Sequence, residues 1–302
     1  MIRIVILMLV LCLMAGCVNN NKFCMEVDVR TRVYPEKGKS YYTDYEKKPT
    51  CTVDCLPGLS LARPAVNAYG SLTGRKADST GFFHAVKIDN RWFLADPCGL
   101  LHINTGVCSV SPMRTDAGTE NMKKKFGEEK NWMKETVALL KSNSFNCAGA
   151  WSDVELIRDY NKTNDPLAYT VIVNFMSKFG EKKGLTHQQA GHKGYRNDAL
   201  PVFDPLFPAF CDSLAKTLSQ YRDDRNLVGY FTDNELPFYP NSLVNYLLLP
   251  AGDANYIATM QWMREHKYDE KNLTDEAKHN FLALIGDKYF SVITAAIRKY
   301  DP

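Results

Sequence analysis

The sequence predicts an α/β protein of the (β/α)8-barrel type, in which only the first four βα units are recognisable. Two observations support this fold class. Strand-like and helix-like runs alternate from residue 81 onward, as expected of βα units around a parallel sheet. Polar or aromatic residues follow several of these strands, where barrel folds build their functional sites. A dinucleotide-binding fold is excluded because no G-x-G-x-x-G turn follows the first strand.

A β-hairpin is predicted at the start of this region. Residues 82–88 and 91–94 are strand-like, and they flank Asp89 and Asn90. A two-residue link of this kind favours the positive φ angles that tight hairpins require. An irregular or β-rich lead-in precedes the hairpin.

The later elements follow from hydrophobic periodicity. Strands are predicted at 100–107, 145–150, 169–173 and 227–231, and helices at 130–142, 203–221, 251–266 and 274–300. The third and fourth strands are continuous apolar runs, which are typical of strands covered on both faces. A complete barrel needs eight such units, so the sequence predicts its N-terminal half.

The first 17 residues predict export. Arg3 precedes an apolar stretch that is too short for a permanent membrane span. Met14, Ala15 and Gly16 then lead to Cys17, an arrangement that resembles a bacterial lipoprotein signal. We therefore expect lipid on Cys17 to anchor the protein to a membrane of the bacterial envelope, at the outer membrane or cell surface. A plain secretory signal or a short buried strand are the alternatives.

Three regions are predicted: a lipoprotein signal at 1–17, a tether and lead-in at 18–80, and the half-barrel at 81–302. The net charge of +3 gives no indication of a nucleic-acid partner. No cofactor or metal site is predicted, because Cys51 and Cys55 have no partner pair at zinc-finger spacing. Those two cysteines form a local disulfide or remain free thiols.

The most informative motif follows the strand at 227–231, where Asp233, Asn234 and Glu235 precede Pro237. A glutamate at the end of a buried strand is rigidly oriented, as a general acid must be when it protonates a glycosidic oxygen. Asn234 can then bind the sugar hydroxyl beside the reacting carbon. The alternative is a turn that ends in a solvated acidic residue.

Other candidates lie on the loops that follow earlier strands. Trp151 is either a stacking platform for a sugar ring or a core aromatic residue. His187 and His192 lie in a loop rich in Gly, Gln and Lys, where they contact sugar, are simply solvated, or bind a metal.

Several ordered motifs together resemble the β-agarases, retaining glycoside hydrolases of a family-50-like type. They are residues 81–84, 88–97, 106–107, 145–146, 151–153, 202–205 and 229–236. The resemblance implies hydrolysis of β-1,4-galactosidic bonds in a red-algal galactan with retained configuration, and therefore a polysaccharide or oligosaccharide partner. It implies Glu235 as acid/base, Asn234 as its partner at the substrate hydroxyl, and Trp151 and Asp153 along the cleft. Further candidates for substrate binding are His102, His187 and Tyr230.

The sequence also departs from this pattern. Retention needs two carboxyl groups about 5 Å apart, yet every Asp and Glu after Glu235 falls in a predicted helix or connection. Cys98 occupies a position where such enzymes tend to carry an acid, and His102 and Asn104 make the first strand unusually polar. The chain is therefore expected to be a glycosidase truncated before its nucleophile, a non-catalytic envelope glycan-binding protein, or an inactive gene fragment. The oligomeric state stays open.

Overall fold

The computed structural model describes residues 25–35, 38–53, 64–189 and 192–302. The predicted signal, with Cys17, lies outside these residues. Cys55 does as well, so the Cys51–Cys55 disulfide stays a prediction. The chain forms two compact units, Met1–Pro64 and Ala65–Pro302.

The N-terminal unit contains a two-part antiparallel ribbon. Strand β1 (Met25–Val29) pairs with β4 (Glu46–Thr50), and β2 (Arg32–Val33) pairs with β3 (Tyr41–Tyr42). Side chains alternate between the two faces of such a ribbon. Its half-buried valines lie on one face, and its arginines and most of its tyrosines are exposed.

The second unit begins with a four-stranded antiparallel sheet in the order β5-β8-β7-β6. Its strands are β5 (Leu72–Lys76), β6 (His84–Ile88), β7 (Arg91–Ala95) and β8 (Leu100–His102). The predicted hairpin is confirmed as the β6–β7 pair. Asp89 and Asn90 have φ angles of 47° and 62°, which match a two-residue turn with both central residues left-handed.

The prediction of one strand over residues 100–107 is wrong. The run divides into β8, which pairs with β7, and β9 (Gly106–Val107), which pairs with β10 (Cys147–Ala148) of another sheet. The Asn146 side chain accepts a hydrogen bond from the Thr105 N–H (2.8 Å) and donates one to the Ile103 carbonyl (2.9 Å). These bonds satisfy the bent backbone, so the chain can leave one sheet and enter the next.

The second sheet is parallel and has the order β14-β11-β10-β9, with β11 at Ala168–Val173 and β14 at Leu227–Thr232. On β11, Tyr169, Val171 and Val173 pack into the main core with the helices, whereas Ala168 belongs to a smaller cluster with Phe83. The helices therefore cover one face of the sheet. The mixed α/β class is confirmed.

Eight α-helices lie in the described part of this unit. They are α1 (Asp116–Phe126), α2 (Glu129–Ser142), α3 (Val154–Asn161), α4 (Phe175–Lys182), α5 (Phe207–Ala215), α6 (Ser242–Leu247), α7 (Ala254–His266) and α8 (Asp275–Tyr300). The helix predicted at 203–221 is shorter than expected, because its last turns, Lys216–Tyr221, are 3-10 helix. A hairpin of β12 (Thr186–Gln188) and β13 (Lys193–Tyr195) separates α4 from α5.

Helix α8 supplies much of the core. Its length and apolar content would allow it to cross a membrane. However, Phe281, Ile285, Tyr289 and Ile293 are each no more than 1% exposed and recur every four residues. That period places them on one helix face, so α8 packs as a core helix and leaves its other face to solvent.

The fourth parallel strand is less buried than predicted. Only Leu227 of β14 is fully buried, and Phe231 is 44% exposed. The reason is its position: β14 pairs only with β11 among the described strands and lies at the edge of the sheet.

Candidate active site

The loops that leave the carboxyl ends of the parallel strands have unusual backbone geometry. Ser109 follows β9, Trp151 follows β10, and Asp233 and Glu235 follow β14; all four have φ between 52° and 60°. Left-handed backbone at residues other than glycine costs on the order of 1–3 kcal/mol each and clusters at functional sites. Three of the four strands therefore end in strained loops at the same edge of the sheet.

Asp233 anchors the loop after β14. Its buried carboxylate accepts hydrogen bonds from the N–H groups of Met176 (2.8 Å) and Ser177 (3.0 Å) and from the Tyr289 hydroxyl (2.7 Å). It thus caps the first turn of α4 and joins that helix to α8. Burial raises the pKa of Asp233, although the backbone donors oppose that shift.

Glu235 extends from this anchored loop toward solvent. Its side chain is 60% exposed, and its Oε2 lies 2.9 Å from Nδ1 of His192. His192 directly precedes β13, so the β12–β13 hairpin brings it to the end of β14. The structure therefore assembles a carboxylate–imidazole pair from two segments that are distant in sequence. Asn234, directly before Glu235, is half-buried.

An aromatic surface lies close to the strand ends. The Trp151 and Phe231 rings have centroids 6.0 Å apart and are tilted by 54°. Both side chains are nearly half exposed. Trp151 follows β10 and Phe231 lies on β14, the two neighbours of β11 in the sheet. Their contact therefore crosses β11 on the sheet face away from the helices. Sequence reasoning missed Phe231, since a continuous apolar strand gives no sign of which face remains open.

The Asp153 side chain is bonded to groups of the protein itself. Its Oδ1 accepts a hydrogen bond from the Leu156 N–H (3.1 Å) and caps α3, while its Oδ2 pairs with Arg114 at 2.7 Å. Ser152 accepts a bond from the Val110 N–H at 3.0 Å. Both side chains hold the loop that presents Trp151, and both carboxylate oxygens of Asp153 are already bonded within the protein.

His102 lies away from Glu235, in the antiparallel sheet. Its ring is 3% exposed, its Nδ1 is 3.0 Å from the Ser71 hydroxyl, and its edge meets Phe83 at a centroid distance of 5.0 Å. Burial lowers the pKa of His102. His102 is thus a packing residue of the antiparallel sheet. The structure does not bring it to the carboxyl ends of the parallel strands.

Tyr230 and His187 are also separate from Glu235. Tyr230 points to the helix side of β14, where its hydroxyl donates to the Asp301 carboxylate. Tyr230 and Asp301 line a groove of about 760 Å³ that also includes Arg298. His187, on β12, has its Nε2 3.1 Å from the Gln189 amide nitrogen. Of the six predicted substrate-binding residues, only Asn234 and Trp151 lie at the strand ends with side chains that the fold leaves available.

Within the described residues, no group of three His, Cys, Asp or Glu side chains is arranged to hold a metal ion. The side chains at the strand ends are a carboxylate, an imidazole, an amide and aromatic rings.

Solved structures share this architecture. A structure named BpGH50 superimposes with a TM-score of 0.73 at 22% identity, over 90% of this chain and 65% of that one. An agarase, AgWH50C, gives 0.60 at 16% identity, over 78% of this chain and 43% of that one. This chain shares the fold of solved agarase structures. The resemblance to β-agarases is thus confirmed at the level of the fold.

An exo-β-agarase gives the same result, with a TM-score of 0.60 at 16% identity over 79% of this chain. The chain spans 48% of that structure and less than two thirds of each of these three. No established protein family and no curated protein matches the sequence.

Proposed function

We propose that this chain carries the acid/base of a glycoside hydrolase that cleaves β-1,4-galactosidic bonds of a red-algal galactan with retained configuration. The observation that carries the proposal is the exposed Glu235, paired with His192 at the carboxyl end of β14. Its support is the position: in barrel folds, reacting side chains lie at the carboxyl ends of the strands.

In this mechanism Glu235 protonates the departing glycosidic oxygen and later removes a proton from water. His192 holds one carboxylate oxygen through its Nδ1 and so orients the other toward the substrate. Asn234 binds the hydroxyl beside the reacting carbon. Trp151 and Phe231 offer ring faces for the flat side of a sugar, which needs an apolar platform open to solvent.

A retaining mechanism also needs a second carboxylate, the nucleophile. Residues 233–302 are all described and contain no strand, so no Asp or Glu after Glu235 lies at a strand end. In our proposal the four parallel strands are the first half of a (β/α)8 barrel, and further polypeptide supplies the nucleophile. The greater length of the solved agarases supports this view.

We also propose that the protein is exported and held on the bacterial envelope by lipid at Cys17. The support is the sequence pattern: one basic residue, a short apolar stretch and small residues before the cysteine. Such an anchor would keep the enzyme at the cell surface, where a large polysaccharide is accessible.

A second candidate is a non-catalytic envelope glycan-binding protein. The observation that favours it is the exposed Trp151–Phe231 surface, together with the described strand ends, where Asp153 and Asp233 are bonded within the protein and Glu235 is the exposed carboxylate. Binding of agaro-oligosaccharides without product, in the complete natural protein, would support this candidate and exclude hydrolysis.

The decisive test compares the natural gene product with its Glu235→Gln variant on agaro-oligosaccharides, with reducing-end release as the readout. A positioned acid/base contributes about 10²–10⁴-fold, so we expect the variant to lose at least 100-fold in kcat while the thermal midpoint is unchanged. Glu120→Gln, at an exposed position on α1, is the matched control and should retain full activity. Unaltered turnover in Glu235→Gln would refute the assignment.

A further inference from the structure

An exposed set of alternating charged and aromatic residues lies on the N-terminal ribbon. Arg30, Arg32 and Tyr34 occupy alternate positions, so they share one face. Tyr42 is the cross-strand partner of Arg32, and Tyr45 follows on the same returning segment. We call these five residues the Arg–Tyr ladder. The opposite face carries the half-buried valines, so the ladder is the open side of the ribbon.

The ladder is built by stacking. The Arg30 guanidinium lies 4.4 Å from the Tyr42 ring centroid and 5.2 Å from that of Tyr45. The Arg32 guanidinium lies 5.1 Å from the Tyr34 centroid and 5.8 Å from that of Tyr42. These distances are within the range of cation–π attraction. The rings and guanidinium groups therefore form one continuous surface.

The tyrosine rings and most arginine N–H groups of the ladder remain available to a ligand. Its three tyrosines are between 52% and 72% exposed. Within the described residues neither arginine pairs with a carboxylate, although Arg32 donates through Nε and Nη2 to the Ser40 hydroxyl. Stacking occupies the flat face of a guanidinium and leaves its edge N–H groups available. Arg30 and the Nη1 group of Arg32 can thus still bind an anion.

The chemistry of the ladder fits a sugar chain that carries anionic groups. Ring faces pack against the apolar side of a sugar, and guanidinium edges bind sulfate or carboxylate in a bidentate manner. A continuous anionic surface fits less well, because exposed Asp28, Asp44 and Glu46 lie on the same ribbon and would be repelled. Two of those carboxylates are paired with lysines, Asp28 with Lys47 and Glu46 with Lys48, so a single glycan chain that follows the two arginines meets less repulsion.

We propose that the Arg–Tyr ladder is a second glycan-binding site, separate from the strand ends, and that it takes an anionic, sulfate- or carboxylate-bearing polysaccharide. The site uses none of the residues assigned to catalysis. Its function is to hold the protein on a charged region of polysaccharide while the other unit acts.

The test measures retention of the full chain on immobilised ι-carrageenan, a sulfated galactan, and on neutral agarose. We expect retention on carrageenan at 50 mM salt and release at 500 mM, since exposed charges are screened over a few ångströms at high salt. The Tyr42→Ala variant and the Arg30→Gln/Arg32→Gln double variant should each bind at least 10-fold more weakly. Glu235→Gln should bind like the wild type, so failure of the hydrolase proposal leaves this result intact.

Two matched controls are available on the same ribbon. Tyr41 is 56% exposed but is the partner of Val33 on the other face, and Lys48 is an exposed cation outside the ladder. Tyr41→Ala and Lys48→Gln should stay within twofold of the wild type.

Three outcomes would overturn the proposal. They are wild-type retention of the double arginine variant, equal losses in Tyr41→Ala and Tyr42→Ala, and retention on anionic phospholipid vesicles without retention on carrageenan. Within the described residues the Arg30 side chain makes only stacking contacts, so Arg30→Gln removes its charge with little effect on the ribbon, and this single variant should also bind carrageenan more weakly even if Tyr42→Ala disturbs the ribbon.

Discussion

Asp233 is the residue on which the geometry of the candidate site depends most. Its Ala variant would leave two N–H groups of α4 and the Tyr289 hydroxyl without their acceptor. Buried polar groups that lose a partner cost about 1–3 kcal/mol each. We expect Asp233→Ala to lower the free energy of unfolding by about 3 kcal/mol in urea titration. The exposed Asp223→Ala should change it by less than about 0.5 kcal/mol; equal values for the two variants would show that Asp233 is not an anchor.

His102 makes stability depend on pH. Burial lowers its pKa below the ordinary value of 6.5, although nearby Asp96 opposes the shift. The unfolded chain therefore takes up a proton on His102 more readily than the folded protein does. The stability that the neutral His102 ring contributes above pH 6.5 is then lost as the pH falls. The loss is at most about 1.4 kcal/mol per pH unit.

We expect His102→Gln to reduce the fall in the free energy of unfolding between pH 7 and pH 5, measured by urea titration at both values. His279→Gln, at an exposed position on α8, should retain the wild-type dependence. If both variants show the wild-type slope, His102 is not the group that titrates.

Elements with a strong local signal were predictable from the sequence. The β6–β7 hairpin follows from its two-residue turn, and α8 follows from apolar residues repeated every four positions. The division of residues 100–107 was not predictable, because it depends on the side chain of Asn146 from another segment. The sequence predicts a loop where the β12–β13 hairpin lies, since only its pairing in three dimensions defines those strands.

The candidate site was predictable to a similar extent. Glu235 and Asn234 could be placed because they follow an apolar strand that a proline terminates. The contact between His192 and Glu235 could not, since it joins a hairpin to a strand end across a long sequence separation. The resemblance to β-agarases implies that Asp153 binds substrate, and the sequence does not reveal that Arg114 and the first turn of α3 bond both of its oxygens.

The core role of α8 leads to a prediction at the element scale. Ile285 on α8 is 1% exposed, whereas Ile257 on α7 is 51% exposed. Truncation of a buried isoleucine to alanine leaves a cavity and costs about 2–5 kcal/mol. We expect Ile285→Ala to lower the free energy of unfolding by that amount, and Ile257→Ala to lower it by less than about 1 kcal/mol. A loss below about 1 kcal/mol for Ile285→Ala would contradict the packing of this helix.

For the whole molecule, the main feature is a parallel sheet whose β14 edge and inner aromatic surface remain uncovered by the described residues. Open strand edges readily pair with further strands. In the proposed barrel, further strands continue the sheet from β14 and leave the Trp151–Phe231 surface open to the substrate.

The most direct test of this account is a ¹H NMR time course of the complete natural protein with an agaro-oligosaccharide. Hydrolysis with retention first releases a product with the β-anomeric signal of the substrate linkage, before mutarotation gives the α form. We expect that signal from the wild type and its absence from Glu235→Gln. An α-anomeric first product would contradict retention, and no product from the wild type would contradict the assignment as a hydrolase.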